Sequence, residues 1–544
     1  MSRALVKIHR WLPIAVIAVT ALSLWTCGRR SESPERHYLR IADGTGDGPT
    51  LNPHLFSEIT LGHIAAMTQA YLVKYDSRNR PYPELLTVVP SQANGGISKD
   101  GKTITWHLRK GVRWSDGAAF TADDVTFSTR VVLNPANNEV RRAGWDLITK
   151  IDQPDRYTVA YHLKQPYSSY EPTFFGSVGS NPTVLPKHLL AGYPNINNIP
   201  YNSKPVGIGP FRVVDWQRGD RIDLEPNPYY FRGTPKLHRI TYELIPSRDT
   251  LLTLIQTGEV DLWPDVPPSY LAQVRALVRL PTDVHPGIFY EHLDFNVRRP
   301  LVSDVRVRQA VRYALDRRQI VKKVVHGYGT LQESTISPIF AFAPVGIRFV
   351  EHDANRAKRL LEEAGWKVGP GGVRVKDGRR LTLQLAYNAG ASSLDDTVEM
   401  IREELRAVGI EVQARKYVPA MFFAPYQNGG VVYGANWDMT MFAWGDLPVA
   451  DVSNLFECDQ IPPKGQNVLR YCNPKLDQLL EAVKRTYDQH EQARLLARET
   501  RTIVGDAPTI VLYVFDTGYT HNKRLTGFHS EAFAPFDNMQ DVDI

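Results

Sequence analysis

One uncharged apolar run, Trp11 to Trp25, opens this chain behind Arg3, Lys7 and Arg10 and ends beside Cys27. At about 15 residues it is shorter than the roughly 20 that a membrane-spanning helix needs. Basic residues ahead of such a stretch are the pattern of a secretory signal; an uncleaved anchor is the competing reading. No later stretch resembles a second span, so the rest of the chain is expected to fold outside the cytoplasm. With 544 residues, 43% of them hydrophobic, it is too long for one core and should divide into two to four domains.

The tetrapeptide Leu24-Trp25-Thr26-Cys27 is similar to a bacterial lipobox, in which a leucine three positions ahead of a cysteine guides cleavage and the cysteine then carries lipid. Cys27 is accordingly the expected lipidation site, with residues 28–37 as a polar tether; a free cysteine lost with the signal is the alternative. Removing Arg3, Lys7 and Arg10 takes the formal charge from +6 to +3. That near balance gives no reason to expect nucleic acid, which calls for a clustered basic face. The basic run "VRVRQAVRYALDRRQIVKK" at 305–323 is expected to be the solvated side of an amphipathic helix. Cys458 and Cys472 remain after the signal, and in an oxidising compartment they are expected to pair. A metal site is the weaker reading, since no CxxC and no nearby histidine pair accompanies them.

Local patterning gives a mixture of strands and helices. In "GKTITWHLRKGVRWSDGAAFTADDVTF" (101–127), Ile104, Trp106 and Leu108 alternate with Thr103, Thr105 and His107, the two-residue period of a half-buried strand. Val112 and Trp114 suggest a short second strand closed by the turn Asp116-Gly117. Thr121 then caps a helix, with Asp124 in capping-box position and Ala122, Val125 and Phe127 opening its apolar face. Residues 59–75 read as helical, and 203–233 as a Gly/Pro loop followed by two strands around Arg218 to Asp220. "RDTLLTLIQTGEVDLW" reads as a helix ending at Gly258 and then a strand. From about 300 helices dominate, with strands returning at "RLTLQLAY" and "EVQARKY".

The motifs of several chemistries are missing. There is no GxxxxGK[ST], no HExxH and no GxSxG, and the glycines of "GTGDG" and "GIGPF" lack the strand-to-helix setting of dinucleotide binding. "HPGIFYEHLDF" at 285–295 offers His285, Glu291 and His292, for which a strand with outward polar residues is a better reading than a metal site. No catalytic activity, metal or cofactor is expected.

The 107–128 block does not stand alone. It resembles the "HLRxGVxWxDGxPFTADDVxFS" signature of the family 5 extracellular solute-binding proteins, the dipeptide and oligopeptide receptors of ABC importers. Other blocks follow in that family's order: "LNPH" at 51–54, "PVGIGPFRVVDW" at 205–216, "LEPNPYYFRG" at 224–233, "GEVDL" at 258–262, "FNVRRPLVSDVRVRQAVRYALDR" at 295–317, "LLEEAGW" at 360–366 and "YCNPKLDQLL" at 471–480. The resemblance covers about residues 38–535.

It implies an α/β periplasmic binding protein type II fold, two hinged lobes with an additional α+β domain. By family pattern one lobe takes 38–80, 203–292 and 505–544, the additional domain 81–202, and the other lobe 293–504. Trp106, Trp114 and Asp116 then belong to scaffold rather than to a ligand site. The implied role is extracytoplasmic, periplasmic or cell-surface: a monomer that captures a short peptide by closing its lobes and delivers it to an inner-membrane ABC permease. In peptide-binding relatives an aspartate just after a tryptophan pairs with the peptide's α-amino group, and backbone groups take the peptide as an added strand. Trp444 and Asp446 look like the matches. The loop here is shorter than in the relatives, so Asp451 is the alternative anchor and a plain surface loop the competing reading. The same fold in other relatives binds nickel chelates, haem, oligosaccharides or other metabolites, and a sensor not coupled to import is a further alternative.

Overall fold

The structure, a computed structural model, describes residues 36–544 apart from 45, 57, 77–78, 178–180, 390–391, 435, 446–448 and 531–534. Its spine is a mixed sheet of eleven strands. On one side lie Glu411–Tyr417, Thr382–Asn388 and Met439–Gly445, all parallel. On the other lie Leu262–Val266, Tyr38–Asp43 and Arg239–Leu244, also parallel, continued by the antiparallel strands Arg221–Pro226 and Phe211–Gln217. Two long antiparallel strands in the middle, Thr282–Phe295 and Thr509–His521, join the halves. The first pairs with Met439–Gly445 through its C-terminal half, and the second pairs with Leu262–Val266 through its own. Between them the register shifts twice, between Pro286 and Tyr290 and between Glu291 and His292. Gly287 sits in the first irregularity, where a Cβ would stand 2.8 Å from the Phe515 carbonyl oxygen.

Each half carries its own core. Helices Val305–Ala314, Arg317–Val324, Ala354–Glu363 and Ser392–Ala407 pack Val311, Ile320, Leu361 and Ile401 against Leu293, Leu383 and Leu512 of the sheet. On the far side helix Ile59–Thr68 packs Ile64 and Met67 against Ile41, Phe211 and Tyr242. That helix is buried on nearly every face, which explains why no amphipathic signal bounded it: the expected helix over 59–75 stops at Thr68, and Val73–Tyr75 is a strand.

The 81–202 region holds a small antiparallel sheet of Thr103–His107, Ile148–Asp155 and Thr158–Leu163 with helix Ala122–Leu133 against it. Thr121 and Asp124 form the expected capping box, and Trp106 and Trp114 are core residues. The second strand anticipated after Gly111 is only an isolated bridge between Arg113 and Ala119. Asp116 accepts from the Ala118 amide and pairs with His188. This unit has one small cluster of its own, around Val131, Leu185, Leu190 and Ile196, but its main core is shared. Its Trp106, Phe120 and Phe174 belong to one apolar cluster with Leu476, Leu480 and Leu496 of helices Pro474–Arg485 and Gln489–Asp506. Ser168 donates through its amide to the Lys484 carbonyl and through its hydroxyl to that of Val483, capping the first of these helices. The Tyr487 hydroxyl donates to the Gly101 carbonyl and accepts from the Tyr167 amide.

The basic run at 305–323 corrects a sequence expectation. Arg306, Arg318, Lys322 and Lys323 are exposed, but Arg308, Arg312 and Arg317 are buried. Arg312 and Arg317 both bind Glu333, the former at 3.0 Å, and they also donate to the carbonyls of Thr509 and Val511. Glu333 accepts in addition from the Val350 amide, so the long loop between Thr330 and Val350 is tied to the crossing strand by one buried carboxylate. Such a group depends on its one anion, which offsets part of the charge of the two guanidinium groups. Glu333→Gln, which keeps the shape but leaves two buried guanidinium groups uncompensated, is expected to lower unfolding free energy by about 3 kcal/mol in urea titrations. A loss under about 1 kcal/mol would show that the backbone carbonyls alone suffice.

Candidate functional site

A cavity of about 550 Å3 opens where the crossing strands meet the small α+β unit, within the range of small-ligand sites. The α+β unit contributes Arg141, Tyr167, Thr173 and Asn181. Tyr290 comes from the crossing strand, and Trp444, Asp451, Ser453 and Gln466 come from the far side. Tyr290 stands opposite Trp444 in the strand register, and Trp444 lies edge-on to Phe442 at 5.7 Å between centroids. A tryptophan and a tyrosine side by side give an apolar wall with little side-chain entropy to lose on binding.

The charged groups among the described lining residues are few. Asp451 precedes the short helix Ser453–Phe456 and accepts from the Ser453 amide at 2.9 Å. Arg141 is half-buried, and burial holds its guanidinium below the usual range against the opposing pull of Tyr71 and Glu139. Among the described residues the cavity therefore presents one cation and one anion, supplied by two separate segments of the fold.

Trp444 and Asp451, both singled out in the sequence, line this cavity together. Asp446 lies outside the described residues, as does Cys27. Cys458 and Cys472 form a disulfide. Arg141, Tyr167, Asn181 and Tyr290 were not anticipated. The hydrophobic alternation around Tyr290 was visible, but nothing local in the sequence marks which loops of the α+β unit turn toward the cleft.

The 285–295 segment is a strand, as read, but its polar residues do not point outward. His292 and Asp294 are buried and bonded to each other at 2.8 Å, and Glu291 is fully buried on the opposite face. His285 pairs with the Ser530 hydroxyl. Among the described residues no three His, Cys, Asp or Glu side chains are placed to share a metal ion, and no described helix is long and apolar enough to cross a membrane.

A cleft between the α+β unit and the half-sheet that ends in Met439–Gly445, set beside the pair of strands that joins the two halves, defines a two-lobed binding protein for a small solute. The chain belongs to the bacterial extracellular solute-binding proteins, family 5, whose middle region matches residues 87–459. It is 27% identical over 534 residues to the oligopeptide-binding protein AppA of Bacillus subtilis (strain 168), covering 95% of each chain. It is 28% identical over 441 residues to the glutathione-binding protein GsiB of Salmonella paratyphi A, covering 79% of this chain and 81% of that one. Among solved structures, that of AppA from Bacillus subtilis with a nonapeptide superposes with a TM-score of 0.74 at 25% identity, over 93% of this chain and 98% of the other. NikZ from Campylobacter jejuni with Ni(L-His) gives 0.75 at 24% identity over 94% and 100%. The fold is thus the type II periplasmic binding fold, and the family is one of extracytoplasmic substrate receptors of ABC importers rather than of enzymes.

Glu291 gives this site's supporting strand a pH dependence. Neither of its carboxylate oxygens has a hydrogen-bond partner among the described residues, and burial pushes it up to about 8. The unfolded chain releases this proton near 4.5, so between 4.5 and 8 the folded state binds more protons and stability falls as pH rises. Glu291→Gln, uncharged throughout, is expected to gain stability relative to the parent on going from pH 5 to pH 8 in urea unfolding. Equal pH slopes for the two proteins would show that the carboxyl ionises as readily folded as unfolded.

Proposed function

We propose that this protein is a receptor for short peptides, closing its lobes over them and presenting them to an inner-membrane ABC permease. The observation that carries the reading is the cavity's pairing of Arg141 with Asp451 beside an aromatic wall, a match for a zwitterion with apolar side chains. The names of two relatives, one binding oligopeptides and the other glutathione, support it. Asp451 is the described candidate for the α-amino group, with Asp446 as the alternative, and Arg141 faces the carboxylate.

In this reading 38–80, 203–292 and 505–544 form one lobe, 81–202 the additional domain and 293–504 the other lobe. The hinge lies in the crossing strands where their register shifts. A ligand touching walls on both sides binds the closed form better and so shifts the population toward it. The receptor acts as a monomer, held to the membrane by lipid on Cys27 through the 28–37 tether once the signal is removed.

Thermal unfolding of residues 28–544, after stripping carried ligand, tests the ligand class. Free peptides of two to six residues are expected to stabilise it, by about 2.7 kcal/mol at a hundred times their dissociation constant. Acetylated peptides, sugars, haem and nickel–histidine are expected not to. Stabilisation by one of these with peptides silent would overturn the peptide reading. Asp451→Asn is expected to weaken peptide binding by about 1.5 to 3 kcal/mol, the scale of a charge-assisted hydrogen bond; unchanged affinity, with a loss in Asp446→Asn, would move the anchor. Cys27→Ser is expected to shift the full chain from the membrane fraction to the soluble one, and retention in the membrane would point to an uncleaved helix.

A further inference from the structure

A second cavity, of about 330 Å3, lies beside the first and shares Pro172 and Val449 with it as common wall. One side is built by Ser169 and Glu171 of the α+β unit, the other by Phe340, Phe342 and Tyr487 from the 293–504 half. Phe340 and Phe342 are stacked at 5.3 Å, their planes 7° apart. A flat aromatic face of this kind suits the methylene stem of a long side chain, whose charged end then needs a polar partner at the far end.

The polar equipment is of one sign. Glu171 and Asp488 are its ionisable carboxylates, and among the described residues no lysine, arginine or histidine lines it. Asp488 is exposed and occupied, accepting from the Glu491 amide as the cap of helix Gln489–Asp506. Glu171 accepts one hydrogen bond, from the Tyr170 hydroxyl at 2.8 Å. Ser169 is 4% exposed, and its hydroxyl has no partner among the described residues. A buried hydroxyl left unpaired costs free energy that a ligand donor would recover. Burial pushes Glu171 up to about 7, the state of a carboxyl without a compensating cation, which an arriving ammonium or guanidinium would reverse.

We propose that this second cavity is a side-chain pocket of the ligand site and takes a basic side chain of the bound peptide, with Glu171 as counterion and Ser169 accepting from the same cationic head. The proposal rests on the peptide reading above and adds a preference to it. Because the pocket is walled by both the α+β unit and the opposite half, a side chain filling it also favours the closed form.

The test is calorimetric titration of the parent protein with alanine-based peptides carrying lysine at each position in turn, against the same peptides with norleucine, which has the stem without the ammonium. At pH 8 one lysine position is expected to bind about tenfold or more tightly than its norleucine counterpart. In Glu171→Gln that ratio is expected to fall to about one while the norleucine peptide binds as before, and Ser169→Ala is expected to reduce the ratio partway. Lowering the pH through about 7 is expected to shrink the ratio in the parent as Glu171 takes up a proton. Tyr75 and Tyr170, which face it, stay neutral over this range, and Asp488, held below the ordinary carboxylate range by the Glu491 amide, stays ionised. Equal binding of lysine and norleucine peptides at every position overturns the pocket and leaves the peptide function standing. A lysine preference that survives Glu171→Gln overturns the assignment of the counterion, and the failure of every peptide to bind overturns the function and the pocket together.

Discussion

Everything in this molecule hangs from the pairing of two strands, Thr282–Phe295 with Thr509–His521. Among the described residues the first bonds to one half-sheet and the second to the other, so their mutual pairing is what joins the halves into one sheet. A continuous ladder would make one rigid slab of the eleven strands. Instead the ladder is interrupted at its middle, where Gly287 comes close to the Phe515 carbonyl and Ser337 donates to the carbonyl of Gly287. Bulged register costs a few hydrogen bonds and gives local twist and compliance in return. Placing Tyr290 immediately after the first break puts a cavity-lining side chain beside the irregularity that separates the halves.

The buried charges have a related logic. Arg308, Arg312 and Arg317 do not decorate a surface; they bind carbonyls at the beginning of the second crossing strand or just before it, at Asp506, Ala507, Thr509 and Val511. Glu333 bridges two of them and brings its loop along. That loop continues to Thr335 in the main cavity and to Phe340 in the second. One ionic cluster thereby fixes, at a distance, part of the wall of both cavities. Buried ion pairs are a poor source of net stability, and their better-attested use is to specify one arrangement.

How far this could be read from the sequence follows from the range of each interaction. The capping box at Thr121 and Asp124, the helix stop at Gly258 and the alternation through Trp106 are local, and local rules find them. The ordered blocks of the family then supply the long-range arrangement that no periodicity contains. Three features stayed hidden for physical reasons. A helix buried all round, Ile59–Thr68, has no polar face to mark its end. Buried arginines are spelled like solvated ones, and only distant partners distinguish them: Glu333 for Arg312 and Arg317, the carbonyls of Asp506 and Ala507 for Arg308. The cavity is assembled from residues near 141, 181, 290, 444 and 451, which no spacing rule brings together; Trp444 and Asp451 were found because the family pattern points to their loop, whereas Arg141 and Tyr290 lie in stretches that resemble ordinary scaffold.

The two cavities together narrow what a ligand must be. Among the described residues the main one sets Arg141 against Asp451, a balance suited to a zwitterion, whereas its neighbour offers Glu171 with no lining cation. A ligand bearing one more positive than negative group would leave fewer charges buried alone than a neutral or anionic one. The difference would be felt most in the closed form, where both walls have lost water and an uncompensated carboxyl costs most. In an open form, with the two walls apart, the same carboxyl would be hydrated and nearly indifferent to the ligand's charge. Selection would therefore act on closure rather than on encounter: many peptides could enter the cleft, and those able to neutralise Glu171 would hold the lobes shut long enough for a membrane partner to engage them.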